Sequence, residues 1–223
     1  MKVILFGASG MVGQAVLREC LLNQSVTAVL SIGRRSSGQS DPRLRELILP
    51  DLFDLRVDPS DFREFEACLF CLGVSSVGMD LAEYERLTFE LTMGWAKLLA
   101  RSNPKMTFIY VSGAGTGGKP KWAQIKGRTE NELFRLFPSS YMIRLGAMRP
   151  MHGEVSKTRW TRIGYSIMRP LFPLVSALAP SAVITSEDLA RGMINVARDG
   201  ASKRVLGNKD LRAIARSTVK GAA

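Results

Sequence analysis

The sequence predicts an α/β domain built on a doubly wound parallel sheet, and three observations predict it. Short apolar runs alternate with helical segments from the first residues to about residue 145. Each run is apolar throughout, which is how strands covered on both faces read. The first run leads at once into a glycine-spaced turn and then a helical pattern.

The elements follow in order. Residues 2–6 (KVILF) read as a buried strand. Residues 11–22 read as a helix, with Val12, Ala15, Val16, Glu19 and Cys20 spaced along it. Residues 26–32 are a second strand, and the polar stretch 34–43 is a loop. Residues 47–49 suggest a short third strand, with Asp51, Leu52, Phe53 and Asp54 after it. Residues 67–72 are a fourth strand. A long helix at 84–101 carries Leu87, Leu91, Trp95 and Leu98 on one stripe. Residues 106–111 are a fifth strand ending in Ser112-Gly113, 121–137 a helix and 141–145 a sixth strand.

After Pro150 the pattern changes. Residues 160–178 read as helical but broken by prolines. Thr185-Ser186-Glu187-Asp188 has the form of a capping box and starts a helix to about Arg198. Residues 203–216 hold a short strand and a last helix. Residues 1–223 thus read as one domain, with about 150–185 forming a small helical lobe on the substrate side.

The charge narrows the ligand classes. A net charge of +11 favours phosphate-bearing ligands, nucleic acid or an anionic membrane surface. The basic residues are scattered, with no stripe interleaved with aromatics, which argues against nucleic acid. Residues 163–185 are mostly apolar, but Arg169, Pro170, Pro173 and Pro180 argue against a spanning helix. A peripheral membrane contact stays open. Met1-Lys2 leads through a short apolar run straight into glycines, unlike a secretory signal. Cys20, Cys68 and Cys71 are an odd set in apolar settings, so a reducing cytoplasm is expected. Cys68 and Cys71 have the C-x-x-C spacing but lie in a strand, and the chain has one histidine; buried core thiols, not a metal site, are expected.

Gly7-Ala8-Ser9-Gly10-Met11-Val12-Gly13 follows a strand and opens a helix. Glycines there let the backbone turn tightly and approach a pyrophosphate, while the helix directs free N–H groups at the charge. The predicted fold is therefore Rossmann-type, with a dinucleotide cofactor. The second strand ends Ser31-Ile32-Gly33-Arg34-Arg35, without the acid that meets a ribose 2′-hydroxyl. A guanidinium suits a 2′-phosphate, so NADP(H) is expected over NAD(H).

The glycine spacing, the strand 68–73 and the segment Val111-Ser112 followed by Trp122-x-x-x-Lys126 resemble the short-chain dehydrogenase/reductase superfamily. More narrowly they resemble its atypical branch, grouped with epimerase/dehydratase-like and human Tat-interacting-protein-like oxidoreductases. The resemblance spans roughly residues 1–200. It implies that Gly7, Ser9, Gly10, Met11 and Val12 line the pyrophosphate and that Arg34 meets the 2′-phosphate. It implies that Asp51 and Leu52 lie near the adenine, and Leu72 and Gly73 beside the ribose and pyrophosphate. Lys126 would hold the nicotinamide ribose, and backbone at Leu145, Gly146 and Ala147 would meet the carboxamide. It also implies that the helices at 84–101 and 121–137 pair in a homodimer.

The superfamily's acid is a tyrosine four residues before the lysine, one helical turn away on the same face. Here that position holds Trp122, whose indole N–H does not titrate usefully. Ser112 and Lys126 stay as catalytic candidates, with Ser112 also readable as a strand-end serine bonding backbone. Tyr84, Tyr110, Tyr165, Ser75, Ser76 and His152 are the other proton donors in view. Trp160, Ile163, Tyr165, Met168, Leu171 and Phe172 read either as the core of a C-terminal lobe or as the apolar wall of a substrate pocket. Two functions follow: an NADP(H)-dependent oxidoreductase with an unusual acid acting on a small molecule, or a non-catalytic NADP(H)-binding regulator.

Overall fold

The computed structural model describes residues 1–154 and 182–217. Seven parallel strands form one sheet: β1 (Lys2–Phe6), β2 (Ala28–Gly33), β3 (Leu44–Ile48), β4 (Ala67–Phe70), β5 (Thr107–Val111), β6 (Ser140–Arg144) and β9 (Val205–Gly207). Their spatial order is β3-β2-β1-β4-β5-β6-β9. The order reverses between β1 and β4, which opens a crevice above the carboxyl ends of those strands. A separate parallel pair joins β7 (Ala147–Arg149) to β8 (Val183–Thr185). The polar sheet-edge sequence of β3 hid its first residues from periodicity: Leu44 pairs with Val29 and Ile48 with Gly33.

Helices cover both faces. On one side lie α1 (Met11–Leu22), α5 (Ser186–Asp199) and α6 (Asn208–Ser217); on the other lie α3 (Leu91–Ser102) and α4 (Lys121–Leu136). Strand side chains alternate between the two cores: Val3 and Leu5 face one, Ile4 and Phe6 the other. The second core is aromatic. Phe6 lies 4.8 Å from Phe70 and 4.9 Å from Trp95, and Phe108 stacks on Phe137 at 4.8 Å.

The long helix starts earlier than its apolar stripe. The Asp80 carboxylate caps α2 (Leu81–Glu85) by accepting from Ala82 and Glu83. A π turn, Arg86–Glu90, then joins α2 to α3. The π turn rotates the buried face, so Tyr84 and Thr88 are buried while Leu87 is only half-buried. The outward positions of α3 and α4 are polar: Lys97, Arg101, Lys121, Gln124, Arg128, Asn131 and Arg135. The Thr185 hydroxyl accepts from Asp188 N–H at the start of α5, as the capping pattern predicts. Most of the expected 150–185 lobe, including the proposed apolar wall from Trp160 to Phe172, lies outside the described residues. Among those residues, no helix is long and apolar enough to cross a membrane.

Candidate functional site

The turn between β1 and α1 is built around contacts that only glycine permits. Gly7 has φ +82°, and a Cβ there would lie 2.8 Å from the backbone of Cys71 and Leu72. A Cβ on Gly13 would lie 2.0 Å from the Gly7 carbonyl oxygen. Removing both side chains lets α1 sit directly on the turn. Gly10 N–H donates to the Gly7 carbonyl at 2.8 Å and closes it. The first turn of α1 has no acidic residue and Gly10 offers no side-chain cap. The positive end of the helix dipole therefore stands without a neutralising side chain.

A cavity of about 480 Å³ opens there, lined by Gly7, Ala8, Ser9, Ser31, Gly33, Arg34, Arg35, Pro50, Leu52 and Leu72. Arg34 and Arg35 are exposed, and among the described residues neither forms an ion pair. No carboxylate lines this cavity. A second cavity, about 240 Å³, shares Arg34, Pro50, Leu52 and Leu72 and adds Asp51, Phe53, Gly73 and Arg86. Its floor is fixed from below, because Trp95 Nε1 donates to the Leu52 carbonyl at 2.8 Å. The Arg86 guanidinium lies 4.1 Å above the Phe53 ring. Asp51 accepts from Phe53 N–H at 2.9 Å, so its carboxylate shapes the loop. Of the sequence-predicted residues of this half, Gly7, Ser9, Arg34, Arg35, Asp51, Leu52, Leu72 and Gly73 line the two adjoining cavities, whereas Gly10, Met11, Val12 and Gly13 line neither.

The other half of the crevice lies over β5 and β6. Ser112, just after β5, is 7% exposed, and its Oγ donates to Glu130 Oε1 at 2.6 Å. Glu130 is 2% exposed and accepts from Arg144 Nη2 at 2.7 Å. One buried carboxylate on α4 thereby ties together the ends of β5 and β6. Lys126 is one helical turn before Glu130 and half-buried, with Nζ 5.8 Å from the centre of the Tyr110 ring. Burial pushes its amine down to about 8, against the pull of the Glu130 charge. Trp122 packs on the loop after β5; a Cβ on Gly115 would lie 3.6 Å from its ring.

Of the other proton-donor candidates, Tyr84 and Tyr110 are buried and His152 and Ser75 have partners. Tyr110 and Tyr84 are buried, and burial raises both phenols above their usual range. His152 Nε2 lies 2.5 Å from Glu187 Oε1. The Ser75 hydroxyl accepts from Val77 N–H at 3.2 Å. Tyr165 lies outside the described residues. The Leu145–Ala147 backbone is held tightly. Leu145 N–H donates to the Ile143 carbonyl, Gly146 N–H to Asn208 Oδ1 and Ala147 N–H to the Ala182 carbonyl.

Sequence reading missed Glu130, Arg144 and Asn208. For Glu130 a signal existed: an acid one turn after Lys126, between Ala123 and Leu133, on the face of α4 that is buried. Asn208 gave no such sign, since its partner Gly146 is far away in sequence.

No family model matches the chain, and no curated protein matches it significantly. Solved structures match its fold. A UDP-glucuronic acid 4-epimerase from Bacillus cereus in complex with NAD superposes with TM-score 0.67 at 14% identity, over 93% of this chain and 76% of that one. A short-chain dehydrogenase/reductase superfamily protein from Agrobacterium tumefaciens with bound NAD gives 0.65 at 15% identity, over 99% and 82%. The PhqB reductase domain from Penicillium fellutanum gives 0.67 at 16% identity, over 94% and 67%. The chain therefore has the Rossmann-type fold of NAD-binding epimerases and short-chain dehydrogenase/reductase proteins, as its glycine spacing implied.

Proposed function

We propose that this chain binds a nicotinamide dinucleotide, NADP(H) in preference to NAD(H), and uses it as an oxidoreductase on a small molecule. One observation carries the reading: two arginines that form no ion pair among the described residues line the cavity above the glycine turn. Gly7, Ser9, Gly10, Met11, Val12 and Gly13 would hold the pyrophosphate. Arg34 and Arg35 would take the 2′-phosphate, Asp51 and Leu52 the adenine, and Leu72 and Gly73 the adjoining ribose. Lys126 would hold the nicotinamide ribose hydroxyls. When bound, the nicotinamide supplies hydride chemistry, and the protein supplies orientation. Fluorescence titration should show NADPH binding at least about tenfold tighter than NADH, from charge-assisted bonds to the extra phosphate. Arg34→Ala should remove most of that preference. If NADPH changes neither nucleotide fluorescence nor thermal stability, the reading fails.

A second reading, a non-catalytic NADP(H)-binding regulator, is favoured by Trp122 together with the Ser112 hydroxyl, whose proton is directed at Glu130. Under the enzymatic reading Ser112 Oγ keeps a lone pair for a water that relays the proton. Trp122→Tyr separates the two. Carbonyl reduction by the variant alone, read as NADPH loss at 340 nm (~ the nicotinamide band used with any such cofactor), supports the regulator. Turnover by both proteins supports the enzyme.

A further inference from the structure

The arginine-bearing turn after β2 has an anchor that the cofactor reading does not use. Glu46 sits in the middle of β3, in register with Ser31 of β2. Ser31 is buried and lines the larger cavity. Strand alternation puts Glu46 on the same face as Leu44, which packs against the core beside α1. From there its carboxylate reaches the turn. Oε2 accepts from Ser36 Oγ at 2.5 Å, and Oε1 accepts from Ser37 N–H at 2.7 Å. Ser36 Oγ in turn accepts from Gly38 N–H at 3.1 Å, and Ser37 Oγ from Gln39 N–H at 3.2 Å.

The far end of this loop is fixed separately. Arg43 donates to the carbonyls of Leu21, Asn23 and Val26 and pairs with Asp41. Residues 34–36 are exposed and bury no apolar side chain, so the near end is held by its polar contacts. Glu46 is also an acid bound to the two residues that directly follow Arg35. With Ser36 and Ser37 occupying both oxygens, it pairs with neither arginine among the described contacts. Burial pushes its carboxyl up, but the hydrogen bonds from Ser36 and Ser37 together outweigh it and hold it below the usual range, so it is ionised at neutral pH.

We propose that Glu46 is a positioning residue for cofactor selectivity, holding Ser36 and Ser37 so that Arg34 and Arg35 stay turned to a 2′-phosphate. The proposal rests on the NADP(H) reading above. It makes an acid on the neighbouring strand a requirement for recognising an anion, because its role is geometric. Pre-organised arginines lose less freedom on binding than arginines on a loose turn.

The test is calorimetric titration of the whole chain with NADPH and with NADH. Glu46→Ala should weaken NADPH binding about five- to tenfold and leave NADH within about twofold, since only the phosphate contacts depend on the turn. Glu46→Gln keeps an oxygen for Ser37 N–H and an amide that can donate to Ser36 Oγ; it should keep the preference for NADPH. Ser36→Ala, which removes one of the two bonds, should fall between. A wild-type chain without a preference for NADPH overturns the cofactor reading and this proposal with it. A wild-type preference that Glu46→Ala leaves intact overturns the Glu46 role alone. Equal losses for both nucleotides also overturn it, showing general loosening of β3. A loss as large in Glu46→Gln as in Glu46→Ala shows that restoring the bonds to Ser36 and Ser37 does not restore the preference, and overturns it as well.

Discussion

Gly13→Ala is expected to abolish nucleotide binding, weakening NADPH by at least about a hundredfold, and to destabilise the fold by about 3 kcal/mol. The added methyl would lie 2.0 Å from the Gly7 carbonyl oxygen and 2.9 Å from Ala8 Cα. Both neighbours are backbone and cannot rotate aside. The helix must slide away from the turn, and its N–H groups move off the phosphate position with it. Gly10→Ala is the control, because its Cβ would approach the same oxygen only to 3.3 Å. It should keep the fold within about 1 kcal/mol of wild type. Chemical denaturation and NADPH titration of both variants check this. A Gly13→Ala protein that binds NADPH normally would show that α1 does not present the phosphate.

Glu130→Ala should cost about 3 kcal/mol of folding stability, because it leaves a half-buried guanidinium without its acceptor and the buried Ser112 hydroxyl with only the Ile143 carbonyl at 3.3 Å. For a chain of this size that lowers the melting temperature by about 6–12 °C. Replacing Glu130 and Arg144 together by leucine should recover much of the loss, since it removes both charges. A single variant melting within 1 °C (~ the scatter of neutral surface changes) of wild type would show that the Ser112–Glu130–Arg144 contacts carry no weight. The variant should also bind NADPH more weakly, because Arg144 lies against the loop after β5, 3.8 Å from where a Gly117 Cβ would be.

The half around the glycine turn was legible because its determinants are local. A strand, three spaced glycines and a helix occupy residues 2–22. Arg34 and Arg35 follow directly from the end of β2. The edge strand β3 was read short because Arg45 and Glu46 break the apolar run, although an edge needs only one covered face. The long helix was read without its first residues for a different reason: the Asp80 cap and the π turn act through backbone bonds that no apolar periodicity records. The half over β5 and β6 was the least legible. Ser112, Glu130 and Arg144 come from β5, α4 and β6, and their meeting depends on the pairing of two parallel strands. Sequence identified Ser112 and Lys126 as residues of interest but could not say that the Ser112 hydroxyl faces a buried acid. It did identify Trp122, since a missing tyrosine is visible in a one-dimensional pattern.

Asn208 fastens the beginning of α6 to the loop after β6: it accepts from Gly146 N–H and donates to the Ala182 carbonyl at 2.8 Å. This gives the domain a direction in time. A chain leaving the ribosome N-terminus first has every residue of the larger cavity in hand once Leu72 has emerged. The opposite half is locked only when Asn208 arrives, more than half the chain later. The residues that line the larger cavity thus emerge well before the contact that closes the region around residues 145–147.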